Sequence, residues 1–127
     1  MADELAGKKI LLVDDDADII TSVKAALEDT GAEIDTASDG DTAVTKVADD
    51  EPDLIVLDLM LPKRSGLLVL EKLRQGKAAG EAPHIVMVTG NMGQRHKLFA
   101  ESLGVAAYMT KPFRMDRLVD KVKELIG

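Results

Sequence analysis

Short unbroken apolar runs alternate along the chain with segments whose apolar residues recur every three or four positions. Lys9-Ile10-Leu11-Leu12-Val13 closes on Asp14, Leu54-Ile55-Val56-Leu57 follows Pro52-Asp53 and closes on Asp58, and Ile85-Val86-Met87-Val88 closes on Thr89. Runs of this length without polar alternation predict strands buried on both faces. Glu33 to Ala37 and Ala106 to Met109 predict two more short strands. Between them, Ile20, Val23 and Leu27 mark a helix stopped by Gly31, and Ala43, Val44 and Val47 mark a short one after Asp39-Gly40. Leu67, Leu70 and Leu73 open a third helix, and Phe99 and Leu103 lie on a fourth, closed by Gly104. Leu118, Val119, Val122, Leu125 and Ile126 form the apolar stripe of the last. Helical spacing and glycine stops carry these assignments. Pro62 and Gly66 bracket a loop, Gln75 to Ala82 (with Gly76 and Gly80) is a loose connection, and Gly90 and Gly93 loosen the turn after the fourth strand.

The order is (βα) five times over, with no internal repeat. Helices between successive strands imply parallel pairing, right-handed crossovers and a sheet covered on both faces. In such a sheet the ligand crevice lies outside the carboxyl ends of the strands. The 127 residues make one domain, residues 1–127, with its core over about 8–126. A chain of this size buries roughly two thirds of its unfolded surface and needs no covalent staples.

Composition narrows the chemistry. The chain has no Cys, which excludes disulfides, thiolate catalysis and cysteine-ligated metals. A net charge of −7 makes it a poor general binder of nucleic acid or acidic membrane. Phe99, Tyr108 and Phe113 are its three aromatic residues, too few for a base-stacking platform. The N-terminus lacks the basic-then-apolar order of a signal peptide, and no stretch approaches the roughly 18 apolar residues of a membrane span. The expected location is the cytoplasm.

Asp14 and Asp15, Asp58, Thr89 and Thr110-Lys111-Pro112 stand at the predicted strand ends. Three carboxylates, a hydroxyl and an ammonium would then converge on one rim. Three carboxylates a few ångströms apart repel, so that either one holds a proton or a cation sits among them. A hard divalent ion such as Mg2+ suits carboxylates, water and phosphate oxygens. With that ion and Lys111 the formal charge sums to zero, ready for a phosphoryl group. Attack of a carboxylate on phosphorus gives an acyl phosphate.

Taken in order, Val13-Asp14-Asp15, Asp53 to Asp58 with Pro62 and Gly66, Val86 to Gly90, and Tyr108-Met109-Thr110-Lys111-Pro112-Phe113 resemble the receiver domain of two-component response regulators over essentially the whole chain. The resemblance implies a flavodoxin-like (βα)5 doubly wound sheet with strand order 2-1-3-4-5. It makes Asp58 the phosphoacceptor, charged from the phosphohistidine of a sensor histidine kinase or a histidine phosphotransfer protein. Asp15 would bind Mg2+ (with Mn2+ as a substitute) most directly, Asp14 mainly through water, and the Met60 carbonyl would be a further ligand alongside Asp58. Lys111 would pair with the phosphoryl group, Thr89 would donate its hydroxyl to it and move inward, and Tyr108 would follow. Lys111-Pro112 is expected to be cis. The output face would be the fourth helix, fifth strand and fifth helix, docking a downstream protein target or a second copy of the chain. The protein would catalyse its own Mg2+-dependent phosphorylation and dephosphorylation, with no conventional turnover substrate.

Plainer readings stand beside these. Asp14 to Asp16 also suit a helix N-cap, and Asp16 is expected to be just that. Asp58 suits a turn, Thr89 a strand, Lys111 a solvated loop and Tyr108 a half-buried edge. His84 and His96 lack metal-ligand spacing, the six Met suit core filling, and Lys63-Arg64 suits a solvated loop. Where Arg64 and Ser65 stand, receivers usually carry an apolar residue and often an acid. Met60 and Asn91 lie at positions that vary in the family and tune dephosphorylation. No DNA-binding or enzyme module follows Gly127, as expected of either a single-domain regulator or a piece of a larger protein. Two alternatives remain. Asp14-x-Asp16 superficially fits a haloacid-dehalogenase-like phosphatase, and a degenerate receiver would be a phosphate-independent binding module.

Overall fold

The computed structural model describes residues 4–61, 65–78, 81–90 and 94–127, with the backbone alone for 94–96. Pro62, Lys63, Arg64, Gly80 and Gly93, assigned to loops and turns above, lie outside the described residues, as do Asn91, named for dephosphorylation, and the His96 side chain. In chain order the elements are β1 (Lys9–Val13), α1 (Ala17–Glu28), β2 (Glu33–Ala37), α2 (Gly40–Asp50), β3 (Leu54–Asp58), α3 (Gly66–Arg74), β4 (His84–Thr89), α4 (Gln94–Ser102), β5 (Ala107–Thr110) and α5 (Met115–Ile126). The five strands form one parallel sheet in the order β2-β1-β3-β4-β5.

The period of two along each strand divides the core into two layers. Ile10 and Leu12 of β1, Leu54 and Val56 of β3, and Val86 and Val88 of β4 pack on Val23 and Leu27 of α1 and on Leu118, Val122 and Ile126 of α5. Their neighbours Leu11, Val13, Ile55, Leu57, Ile85 and Met87 face Ala43 of α2, Val69, Leu70 and Leu73 of α3, and Ala100 of α4. Both faces of the central strands are therefore dry, which is why β3 reads as an unbroken apolar run. The expected core gains one residue at its N-terminal edge. Leu5 is fully buried among Leu27, Val122 and Ile126, and its amide donates to the Thr30 carbonyl at 2.9 Å.

Polar residues fix where the helices begin. Asp16 caps α1, its side chain accepting from the amides of Asp18 and Ile19. Asp39 and Ser65 do the same for α2 and α3 through Thr42 and Leu68. Each cap satisfies an amide that the helix leaves without a partner. Two details differ from expectation. β5 runs one residue later than Ala106–Met109, because Thr110 pairs with Thr89 while the Ala106 amide bonds to the Ile85 carbonyl before the ladder begins. Among the described side chains of α4 the fully buried one is Ala100, whereas Phe99 is 40% exposed. Leu103 lies just past the helix end, partly buried against the α2–α3–α4 layer.

Candidate functional site

The carboxyl ends of β1, β3, β4 and β5 bring the acidic, hydroxyl and lysine side chains together. Asp14 follows β1 and is buried, its amide held by the Ala37 carbonyl at 3.1 Å. Its Oδ1 accepts from the Asp16 amide at 2.9 Å, and its Oδ2 accepts from Lys111 Nζ at 2.8 Å. Asp58 is the last residue of β3 and is also buried. Its Oδ1 accepts from the Met60 amide at 3.3 Å, and its Oδ2 lies 3.6 Å from Lys111 Nζ. Asp15 is exposed, and one oxygen from each of Asp14, Asp15 and Asp58 lies within 4.8 Å of the others.

Lys111 reaches both buried acids because the sheet positions its backbone. Its amide donates to the Thr89 carbonyl at 2.7 Å, directly after the Thr89–Thr110 pair, and the Lys111–Pro112 bond is cis, as expected. Gly66 secures the other side. Its amide donates to the Leu59 carbonyl at 2.6 Å, and a Cβ there would collide with the Asp58 carbonyl oxygen and the Leu59 backbone. The start of α3 is thus pressed against the residue that carries the central carboxylate, which only glycine permits. In the sequence Gly66 marked a loop boundary, with nothing to show this close approach.

Burial, and then the charge on Asp14, push the Asp58 carboxyl up to about 6, against the opposing pull of Lys111 and the Met60 amide. Burial works against the Lys111 ammonium, but its hydrogen bond to Asp14 and the charges of Asp14 and Asp58 outweigh this and raise its pKa. One cation therefore shares two buried acids and leaves the cluster short of positive charge. That donor set, all oxygen and mostly anionic, fits a hard divalent cation such as Mg2+.

Thr89 is fully buried at the end of β4, and its Oγ1 has no hydrogen-bond partner among the described residues. A buried hydroxyl left unpaired is costly and calls for an explanation. Tyr108, on the neighbouring strand, is partly buried against the α2–α3–α4 layer, and Lys97 Nζ lies 5.8 Å from its ring centroid. Burial raises its phenol pKa. The Asp14-x-Asp16 pair of a dehalogenase-like phosphatase is otherwise engaged, since Asp16 caps α1 and both Asp14 oxygens are bonded. Arg74, which the sequence left unremarked within a helix, is buried and bonds the Pro83 carbonyl just before β4.

Comparisons with known proteins agree with this geometry. The family model "Response regulator receiver domain" matches residues 10–123. The alkaline phosphatase synthesis transcriptional regulatory protein PhoP of Bacillus subtilis is 42% identical over 119 residues, covering 94% of this chain and 48% of that protein. The phosphate regulon transcriptional regulatory protein PhoB of Pseudomonas aeruginosa is 35% identical over 122 residues, covering 96% and 53%. The chain thus spans about half the length of the curated relatives it matches. Among solved structures, a CheY-like receiver domain protein of Methanospirillum hungatei superposes with a TM-score of 0.83 at 34% identity, covering 94% of this chain and 93% of that one. The BeF3-activated receiver domain of Klebsiella pneumoniae RstA gives 0.83 at 25% identity, covering 94% and 98%. With its order β2-β1-β3-β4-β5 and the acid–lysine–threonine rim at the strand ends, the chain belongs to the receiver-domain family of two-component response regulators.

Proposed function

We propose that the chain, as one receiver domain over residues 1–127, takes a phosphoryl group from a phosphohistidine onto Asp58. The observation that carries this reading is the sharing of Lys111 Nζ between Asp14 and Asp58, with Asp15 completing an oxygen cluster within 4.8 Å. An Asp58 Oδ atom attacks phosphorus in line with the donor imidazole. The new O–P bond forms as the N–P bond breaks, and the electron pair returns to the imidazole nitrogen. Asp58 must be ionised to attack, which a carboxyl at about 6 satisfies near neutral pH.

Asp14, Asp15, Asp58 and the Met60 carbonyl would hold Mg2+ (or Mn2+ in its place). Bound there, the ion supplies charge neutralisation for the carboxylates and the incoming phosphoryl oxygens. Lys111 provides the second cation on the same rim. The Thr89 hydroxyl, without a partner among the described residues, donates to a phosphoryl oxygen, and Tyr108 follows into the space it leaves. The protein therefore shifts between two populations, and α4, β5 and α5 report the change to a downstream protein target or a second copy. The names of the relatives favour a DNA-binding output, while the net charge of −7 argues against direct nucleic-acid binding by this chain. A kinase or phosphotransfer partner whose histidine is charged by ATP is in keeping with a cytoplasmic location.

Mg2+-dependent labelling with acetyl phosphate, followed by mass-spectrometric mapping, tests this. Asp58 is expected to carry the label, and Asp58→Asn to carry none. A label that maps elsewhere, or one indifferent to chelation of Mg2+, refutes the assignment.

A further inference from the structure

Arg74 ends α3 and is 7% exposed, far from any role in the phosphoryl site. Its guanidinium bonds main-chain carbonyls. Nε donates to Leu103 at 3.2 Å, Nη2 to Ala78 at 2.7 Å, and Nη1 to Glu81 at 2.9 Å and Pro83 at 3.4 Å. These acceptors belong to two separate pieces of chain. Ala78 and Glu81 lie in the α3–β4 connection, Pro83 directly precedes β4, and Leu103 directly follows α4.

The charge is balanced by helix ends. Arg74 occupies the last turn of α3, where the helix dipole is negative. The end of α4 points at the same group. There Gly104 (φ 84°) donates to Glu101 and Val105 to Ala100, the paired closure of a glycine-terminated helix, and the Leu103 carbonyl remains for the guanidinium. Two negative helix ends and a rim of carbonyls thus converge on one planar cation, whose five donors in a fixed fork serve more carbonyls than the three of an ammonium can.

We propose that Arg74 is a positioning residue that pins the C-terminal end of α4 and the base of β4, so that phosphorylation moves α4 about this fixed end. The proposal rests on Asp58 being the phosphoacceptor and α4–β5–α5 the responding face. Thr89 lies at the far end of β4 from Pro83, and α4 follows it in the chain. A displacement that starts at Thr89 becomes a directed movement of α4 only if the other end of the helix is held. Without the pin, the same displacement dissipates.

The chain has one Tyr and no Trp, so its ultraviolet fluorescence reports on Tyr108 of β5. The experiment is a beryllofluoride titration of Arg74→Ala in Mg2+, with and without about 20 mM guanidinium, a concentration that costs negligible stability. Beryllofluoride is expected still to bind Asp58, while the Tyr108 response falls by about half or more. Guanidinium is expected to restore it, and equimolar ammonium is not. An undiminished response, restoration by both cations, or restoration by neither overturns the proposal. If Arg74→Ala does not fold, Arg74→Lys takes its place. It keeps the charge without the planar fork, so a reduced response supports the proposal and an undiminished one overturns it. Should the wild type show no response at Asp58, the phosphoacceptor reading fails, and hydrogen exchange then judges Arg74 alone. Exchange at the Gly104 and Val105 amides is expected to rise about tenfold in Arg74→Ala, the effect of losing one charge-assisted bond, and to fall again with guanidinium. Unchanged exchange overturns the proposal.

Discussion

Replacing Thr89 by valine removes one hydroxyl and little else. Thr89 is fully buried, its Oγ1 has no partner among the described residues, and its backbone lies in a β ladder that suits a β-branched residue. A buried hydroxyl without a partner costs about 1–3 kcal/mol relative to its hydrated state, and a methyl in the same place contributes apolar burial instead. Thr89→Val is therefore expected to stabilise the resting protein by about 1–3 kcal/mol. For a domain of this size that is a rise in Tm of about 3–10 °C. Thermal and urea unfolding, followed by circular dichroism, would measure it. Thr89→Ser keeps the orphan hydroxyl and loses a methyl, so it is expected to destabilise and serves as the control. Beryllofluoride should reverse the ranking of function: wild type changes its Tyr108 fluorescence and Thr89→Val does not, having no donor to offer. A Thr89→Val protein less stable than wild type by about 1 kcal/mol or more would show that the hydroxyl is already satisfied, and the reasoning would fail.

Three further outcomes follow from the same rim and its supports. The Asp58 carboxyl is pushed up to about 6 from 3.8, so the folded state binds this proton more tightly than the unfolded chain. Its contribution to stability is complete below about 4 and is lost as pH rises through 6, by about 1–3 kcal/mol after allowing for solvent near the cluster. Subtracting the urea-derived stability of Asp58→Asn at each pH isolates this effect; Mg2+ should abolish the loss, and a flat difference curve would refute it. Lys111→Ala is expected to fold but to lose about 1–3 kcal/mol, because Asp14 and Asp58 then face each other without a cation. Mg2+ should restore most of that stability while the Tyr108 response stays weak, and a variant unfolded even in saturating Mg2+ would show a structural lysine. Leu5→Ala should cost about 2–4 kcal/mol in urea unfolding, the usual range for a fully buried leucine; under about 1 kcal/mol would mean that the segment before β1 lies outside the core.

The legibility of each part of this molecule depends on how local its cause is. The central strands could be read to within a residue because burial on both faces leaves no polar alternation, and Asp58 and Thr89 marked where the apolar run ends. Asp16 was legible as a cap because capping acts over two or three residues. Strand order is a pairing between distant segments, and it came from the family resemblance. Leu5 escaped because a single apolar residue has no period, and α4 is so polar that Phe99 and Leu103 marked the helix without marking Ala100 as its buried residue. Arg74 was invisible for a different reason: a charged residue on a helix ordinarily faces water, and only the convergence of Leu103, Ala78, Glu81 and Pro83 carbonyls makes burial affordable.

The rim carries two unrelieved costs of different kind, and their joint remedy narrows what the site can be for. Asp14, Asp15 and Asp58 share a single lysine, and burial first and the charge on Asp14 second raise the Asp58 carboxyl. Thr89 has a donor and no acceptor among the described residues. A cation alone would satisfy the carboxylates and leave the hydroxyl orphaned. An anion alone would give the hydroxyl an acceptor and deepen the repulsion. A phosphoryl group on Asp58 together with a divalent cation answers both, which a merely structural cluster of acids has no need to do. On the proposed reading the same pairing would make the resting state easy to leave, because the activated state would repair costs that the resting state carries, and a small population difference between the two would then be within reach of one covalent event.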